Sequence, residues 1–137
     1  VGYRHVWFRP QNEWLEEDRV YLEAFYAENF EAFRLTSRSR FEYRSFDYRE
    51  DYWRFRNEFV IESATPLGNT DIRPYLEEEF FHNTRENHFE ANWLGLGLAW
   101  RPRDGLKLKV GYRWNYFRAG DEWRSRDVLV TGINLFF

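Results

Sequence analysis

From Leu106 to Phe117 the side chains alternate in kind at every step. Leu106, Leu108, Val110, Tyr112, Trp114 and Tyr116 form one series, and Lys107, Lys109, Gly111, Arg113, Asn115 and Phe117 form the other. Successive side chains of an extended strand point to opposite faces, whereas a helix would scatter both series around its axis. The segment therefore predicts a β-strand with one apolar face and one face that is charged or small up to its last residue. Its length matches the roughly 9 to 11 tilted residues with which a strand crosses a bilayer.

The same period runs upstream. Leu94, Leu96, Leu98 and Trp100 oppose Trp93, Gly95, Gly97 and Ala99. The link Arg101-Pro102-Arg103-Asp104-Gly105 has the Pro and Asp-Gly chemistry of a hairpin. Trp53, Phe55, Asn57, Phe59 and Ile61 oppose Arg54, Arg56, Glu58, Val60 and Glu62. Phe33, Leu35, Ser37, Ser39, Phe41 and Tyr43 oppose Arg34, Arg38, Arg40, Glu42 and Arg44, and Val20, Leu22, Ala24 and Tyr26 oppose Arg19, Tyr21, Glu23 and Phe25. Arg73 to His82 is less regular. Glu77, Glu78 and Glu79 are consecutive, so a regular register sends a carboxylate to the apolar side. A β-bulge there would turn all three away from it; otherwise that strand edge faces water or protein. About eight strands are expected. Links near Glu28–Glu31, Thr65–Asp71 and Arg101–Gly105 fall on one side, together with the last residue. Links near Pro10–Asp18, Asp47–Asp51, His82–Asn87 and Ala119–Trp123 fall on the other.

Composition narrows the class. Aromatic residues are 22% and charged residues 31% of 137 residues. A small membrane barrel needs both, rings at the headgroup level and charges inside, and only alternate residues of its strands are apolar. A mean hydropathy of −0.79 is therefore compatible with a membrane strand protein. No run approaches the roughly 18 apolar residues of a membrane helix. A net charge of −3 argues against nucleic acid as a partner. The chain has no cysteine, which excludes a disulfide frame and a thiol metal site. Val1-Gly2-Tyr3-Arg4 repeats as Val110-Gly111-Tyr112-Arg113, where the tetrapeptide comes in mid-strand. If the two sites are equivalent, the first strand begins midway, and residues 1–137 are a single barrel domain truncated at its N-terminus.

Two resemblances follow. The terminal stretch carries Leu129, Thr131, Ile133, Leu135 and Phe137 on one side, and resembles the closing strand of a bacterial outer-membrane barrel. That resemblance implies that Ile133, Leu135 and Phe137 act as the signal read by the barrel assembly machinery. From Phe33 to Phe137 the chain resembles the C-terminal part of the uncharacterised bacterial outer-membrane β-barrel family, domain of unknown function 2490. The residues that carry it are Ser37-Arg38-Ser39-Arg40-Phe41-Glu42-Tyr43-Arg44, Tyr52-Trp53-Arg54-Phe55-Arg56-Asn57, Pro74-Tyr75-Leu76 with the glutamates, Gly95-Leu96-Gly97, Gly111-Tyr112 and the terminal strand, in that order. The resemblance implies a fold, and a Gram-negative outer membrane as location. It implies no activity.

The interior is expected to be a charge ladder of Arg34, Arg38, Arg40, Glu42, Arg44, Arg54, Arg56, Glu58, Glu62, Lys107, Lys109 and Arg113, joined by Glu23 and one or more of Glu77 to Glu79. Opposed residues of neighbouring strands lie about 4.5 to 5.5 Å apart, and the planar guanidinium grips carboxylates bidentately. The ladder suits a filled polar core, since an eight-stranded barrel has an interior just wide enough for side chains. It also suits a narrow passive channel that prefers anions. A soluble lipocalin-like barrel, with the faces exchanged, uses the same alternation. A filled barrel could also act as a scaffold through its outer loops, where Trp14 is one candidate for recognition. Catalysis finds no support: Ser37 and Ser39 have no nearby histidine, and no phosphate loop, zinc spacing or nucleotide motif occurs. His82 and His88 bracket a loop with Glu86, a weak metal candidate. The reading is an all-β, antiparallel up-and-down transmembrane β-barrel, not an enzyme, with no cofactor and no metal. Its expected partners are outer-membrane lipid and lipopolysaccharide, and the assembly machinery during biogenesis.

Overall fold

A computed structural model describes residues 1–9 and 13–135; within this range, the side chain of Phe8 is not described. Eight strands form one antiparallel sheet in which spatial order equals chain order. They are β1 (Gly2–Phe8), β2 (Leu15–Asn29), β3 (Phe33–Phe46), β4 (Tyr52–Ser63), β5 (Ile72–Asn83), β6 (His88–Arg103), β7 (Leu106–Ala119) and β8 (Glu122–Leu135). No helix occurs among the described residues. The sheet curls into a half-barrel. Ion pairs that skip strands measure the curl: Lys107 on β7 reaches Glu62 on β4 at 2.5 Å, and Lys109 on β7 reaches Glu77 on β5 at 2.9 Å. Among the described residues β1 and β8 each pair on one side only. β1 covers β2 from Leu15 to Tyr21, so Leu22–Asn29 of β2 pair with β3 alone.

The alternation sorts the faces. Leu94, Leu96, Leu98, Trp100, Val110, Tyr112, Trp114, Leu129, Ile133 and Leu135 are exposed on the convex face. The concave face buries Glu17, Arg40, Glu42, Arg44, Arg54, Glu62, Glu77 and Glu79, with Tyr52, Tyr75, Phe81, Ala91 and Ala99 as its apolar part. Gly97 and Gly111 sit opposite each other on β6 and β7 beneath Tyr75. A Cβ on Gly97 would lie 2.8 Å from the Tyr75 hydroxyl, and one on Gly111 nearer still. Gly2 lies in the same way beneath the ring of Tyr21. The echoed tetrapeptides therefore share a physical reason: each glycine clears space for an inward tyrosine. Gly105 and Gly120 close the β6–β7 and β7–β8 hairpins at φ 77° and 66°, which L side chains rarely adopt.

One alternative is decided and one expectation is corrected. No bulge occurs at the glutamates; β5 keeps its register there and slips between Phe81 and His82. Glu77 and Glu79 turn to the concave face, and Glu78 is exposed on the convex one. The link expected over Pro10–Asp18 is shorter, because β2 already begins at Leu15. Pro10, Gln11 and Asn12 lie outside the described residues.

Candidate functional site

The concave face carries clusters of ion pairs, the largest of them centred on Glu42. Glu42 is fully buried and lies 3.2 Å from Arg40, 2.5 Å from Arg54 and 3.5 Å from Arg56. Arg40 also grips Glu23, its Nε at 2.5 Å. Arg56 pairs with Glu79, and Arg38 bridges Glu58 at 3.0 Å and Glu79 at 3.8 Å. Glu62 collects Lys107 at 2.5 Å and Arg101 at 2.6 Å. Burying charge is costly unless it is paired and hydrogen-bonded, and here the pairing is dense. All twelve predicted ladder positions share this face; ten of them are ion-paired within it.

The remaining two are Arg34 and Arg113. Arg34 is exposed near the β2–β3 turn. Arg113 stacks on Trp93, with its guanidinium carbon 4.3 Å from the ring centroid, while its buried Nε has no hydrogen-bond partner. Arg4 on β1 and Arg126 on β8 also face inward and have no carboxylate within 4 Å among the described residues. By contrast, each of Glu17, Glu23, Glu42, Glu58, Glu62, Glu77, Glu79 and Glu90 faces at least one cation. The concave wall thus carries an excess of positive charge, although the whole chain is at −3.

Sequence reasoning missed part of these clusters. Glu17 pairs with Arg44 and lies 2.7 Å from Arg19, and Arg44 donates to the hydroxyl of Tyr52. Glu17 was assigned to a loop, yet it has the parity of Arg19, Tyr21 and Glu23, which was the available signal. Glu90 on β6, 3.9 Å from Arg54, was hidden by the register slip beside it.

Beyond this cluster the turns after β3, β5 and β7 surround an open polar cavity of about 850 Å³. Arg44, Arg49, Arg85, Arg118 and His88 line it opposite Glu50, Glu86, Glu90 and Asp121. In the β3–β4 turn, Asp51 accepts the backbone N–H of Phe46 at 3.0 Å and the hydroxyls of Tyr43 and Ser45 at 2.9 and 3.0 Å. These bonds, the backbone one foremost, hold its carboxyl below the ordinary aspartate value. His82 and His88 are not brought together: His82 packs its ring edge against Phe89, which is exposed on the convex face, whereas His88 lies 3.2 Å from Glu86 and lines the cavity. Ser37 and Ser39 are on the convex face, where each accepts a hydrogen bond from the amide of Asn57. Trp14 is exposed beside β2, with the Arg9 guanidinium 5.7 Å from its ring centroid.

Of the expected terminal signal, Ile133 and Leu135 are exposed on the convex edge strand, and Phe137 lies outside the described residues. No curated protein and no solved structure matches the chain. One family model matches, over residues 1–126, and so includes β1 and β2 and stops inside β8 before Ile133. The chain belongs to that family, the proteins of unknown function DUF2490.

Proposed function

We propose that this chain is an outer-membrane β-barrel protein of a Gram-negative bacterium, non-catalytic, whose concave charge net forms a largely filled polar interior with a narrow anion-preferring path. The observation that carries the reading is the sorting of charge. Apolar and aromatic side chains dominate the exposed convex face, where His5 meets Asp18 and Glu16, while the Arg–Glu and Lys–Glu pairs between strands lie on the concave one. In water this would be an unfavourable arrangement; against lipid it is the expected one. The interior is structural where it is paired, from Glu17 through Glu79. It leaves positive charge where it is not, at Arg4, Arg34, Arg113 and Arg126. In hydrocarbon a sheet edge must be paired, so this reading requires both β1 and β8 to have neighbours there.

Two measurements test it. The protein is held in detergent and the detergent is then removed; a monodisperse protein in plain buffer sinks the membrane reading. Planar-bilayer recordings under a salt gradient then test the path. The expected result is a small steady conductance whose reversal potential favours the anion and shifts toward zero in Arg113→Gln. A cation-preferring conductance refutes the role given to the unpaired arginines. A detergent-dependent but silent protein favours the second reading, a wholly filled barrel acting through the turns around the polar cavity.

A further inference from the structure

A carboxylate on the lipid side of a sheet needs an explanation. Glu78 stands exposed on the convex face of β5, where its neighbours in strand parity are Leu76 and Phe80. Its hydrogen-bond partner is the neutral amide of Asn92, at 2.9 Å. No cation lies within 4 Å of it among the described residues, although such partners are abundant on the other face. Asn92 is short and is flanked by large rings, so a cleft of about 440 Å³ opens above it. One wall is Phe80 with Phe89, whose centroids lie 6.2 Å apart at 75°. The other is Tyr116 with Trp123, stacked at 4.9 Å and 8°. Glu78 lines the same cleft.

We infer that this cleft is a binding site for the alkylammonium headgroup of a zwitterionic phospholipid. Aromatic faces carry negative quadrupoles and attract a substituted ammonium, most strongly once it is desolvated. The Glu78 carboxylate supplies the formal counter-charge that the rings lack. The methyl or methylene groups of the ammonium fill the apolar walls, and the acyl chains run along the convex face. A phosphate-only or glycerol headgroup meets the carboxylate unfavourably. The inference rests on the convex face being lipid-facing, as proposed above.

Native mass spectrometry of the detergent-purified protein, titrated with phosphatidylcholine or phosphatidylglycerol, tests it. One phosphatidylcholine should be retained about tenfold to thirtyfold more tightly than phosphatidylglycerol. Glu78→Gln should abolish that preference with the thermal midpoint unchanged, and Phe89→Leu, which keeps the apolar bulk but removes a ring, should weaken it. Equal retention of the two lipids, or an undiminished preference in Glu78→Gln, overturns the site while leaving the membrane reading intact. Free tetramethylammonium that saturates the site as readily as the lipid overturns the headgroup assignment. A protein that stays monodisperse without detergent removes the membrane reading and this inference with it, and that readout is separate from the lipid titration.

Discussion

Replacing Glu42 by Gln should be among the most damaging single changes on the concave face. Glu42 is 0% exposed and meets three guanidiniums. At an effective dielectric of about 20, unit charges about 4 Å apart attract by about 4 kcal/mol gross. Those terms do not simply add, because two of the arginines have other partners. Arg40 retains Glu23 and Arg56 retains Glu79. Arg54 keeps only the distant Glu90, at 3.9 Å. The cost is therefore that of stranding one buried arginine, about 3–5 kcal/mol. Glu58 is the control: it pairs with Arg38 at 3.0 Å, but both side chains are more than a quarter exposed. Glu58→Gln should cost about 0.2–1 kcal/mol. Reversible urea unfolding in detergent micelles, followed by tryptophan fluorescence, reads both, with equal denaturant slopes as the check that the same surface unfolds. Equal losses for the two variants would refute the idea that burial, rather than ion-pair number, sets the value of these contacts. A paired replacement, Glu42→Leu with Arg54→Leu, should lose less than Glu42→Leu alone, since it leaves less buried charge unmatched.

Further expectations follow from the turns and the glycines. Because Asp51 has a lowered carboxyl pKa in the folded protein, its stabilising contribution is fully present above the ordinary value of 3.8 and is lost as pH falls through the folded value. Acid titration of amide exchange in the β3–β4 turn should show protection lost in that window, and Asp51→Asn should remove the pH dependence there. Gly111→Ala should destabilise by about 1–3 kcal/mol through overpacking against the Tyr75 hydroxyl and the Leu96 carbonyl. Adding Tyr75→Phe should recover part of that loss in the same urea assay, whereas no recovery would place the clash at the backbone alone. Gly105→Val should slow or misdirect pairing of β6 with β7, read as a lower folded fraction on refolding, because a β-branched residue resists the positive φ.

Much of the fold was legible because a strand has a period of two, and a wrong register would exchange every side chain between faces. Arg38, Arg40, Glu42 and Arg44 read as one face from four alternate positions, and that face is where they lie. Pairing partners were less legible, since alternation fixes a face and not which residue stands opposite. Glu62 with Lys107 spans 45 residues and depends on the curl of the sheet. Glu78 shows a different limit. Three glutamates in a row suggested a bulge that would keep carboxylates off the apolar side, but the ladder β4–β5–β6 is regular there, with Glu77, Glu78 and Glu79 opposite Gly95, Leu94 and Trp93. The slip came instead beside Phe81, where nothing in local composition marks it. It also separates His82 from His88, whose proximity in sequence suggested a shared ligand.

The identity of strand order and chain order has a consequence for how such a sheet can be assembled. Each new strand finds its hydrogen-bonding neighbour in the strand just made, so every addition is a hairpin closure over a short loop. Counter-ions arrive on the same schedule. Arg40 meets Glu23 from the preceding strand, Arg54 meets Glu42, and Arg56 meets Glu79 in the next. Charge can therefore be neutralised hairpin by hairpin as the sheet grows. Lys107 and Lys109, with Arg101 on β6, are exceptions, since their carboxylates belong to strands already in place that are not their hydrogen-bonding neighbours and come within reach only as the growing sheet bends. The two lysines of the chain thus act as a record of curvature: a flat intermediate leaves both unpaired, and their pairing marks the moment at which a ribbon becomes a wall.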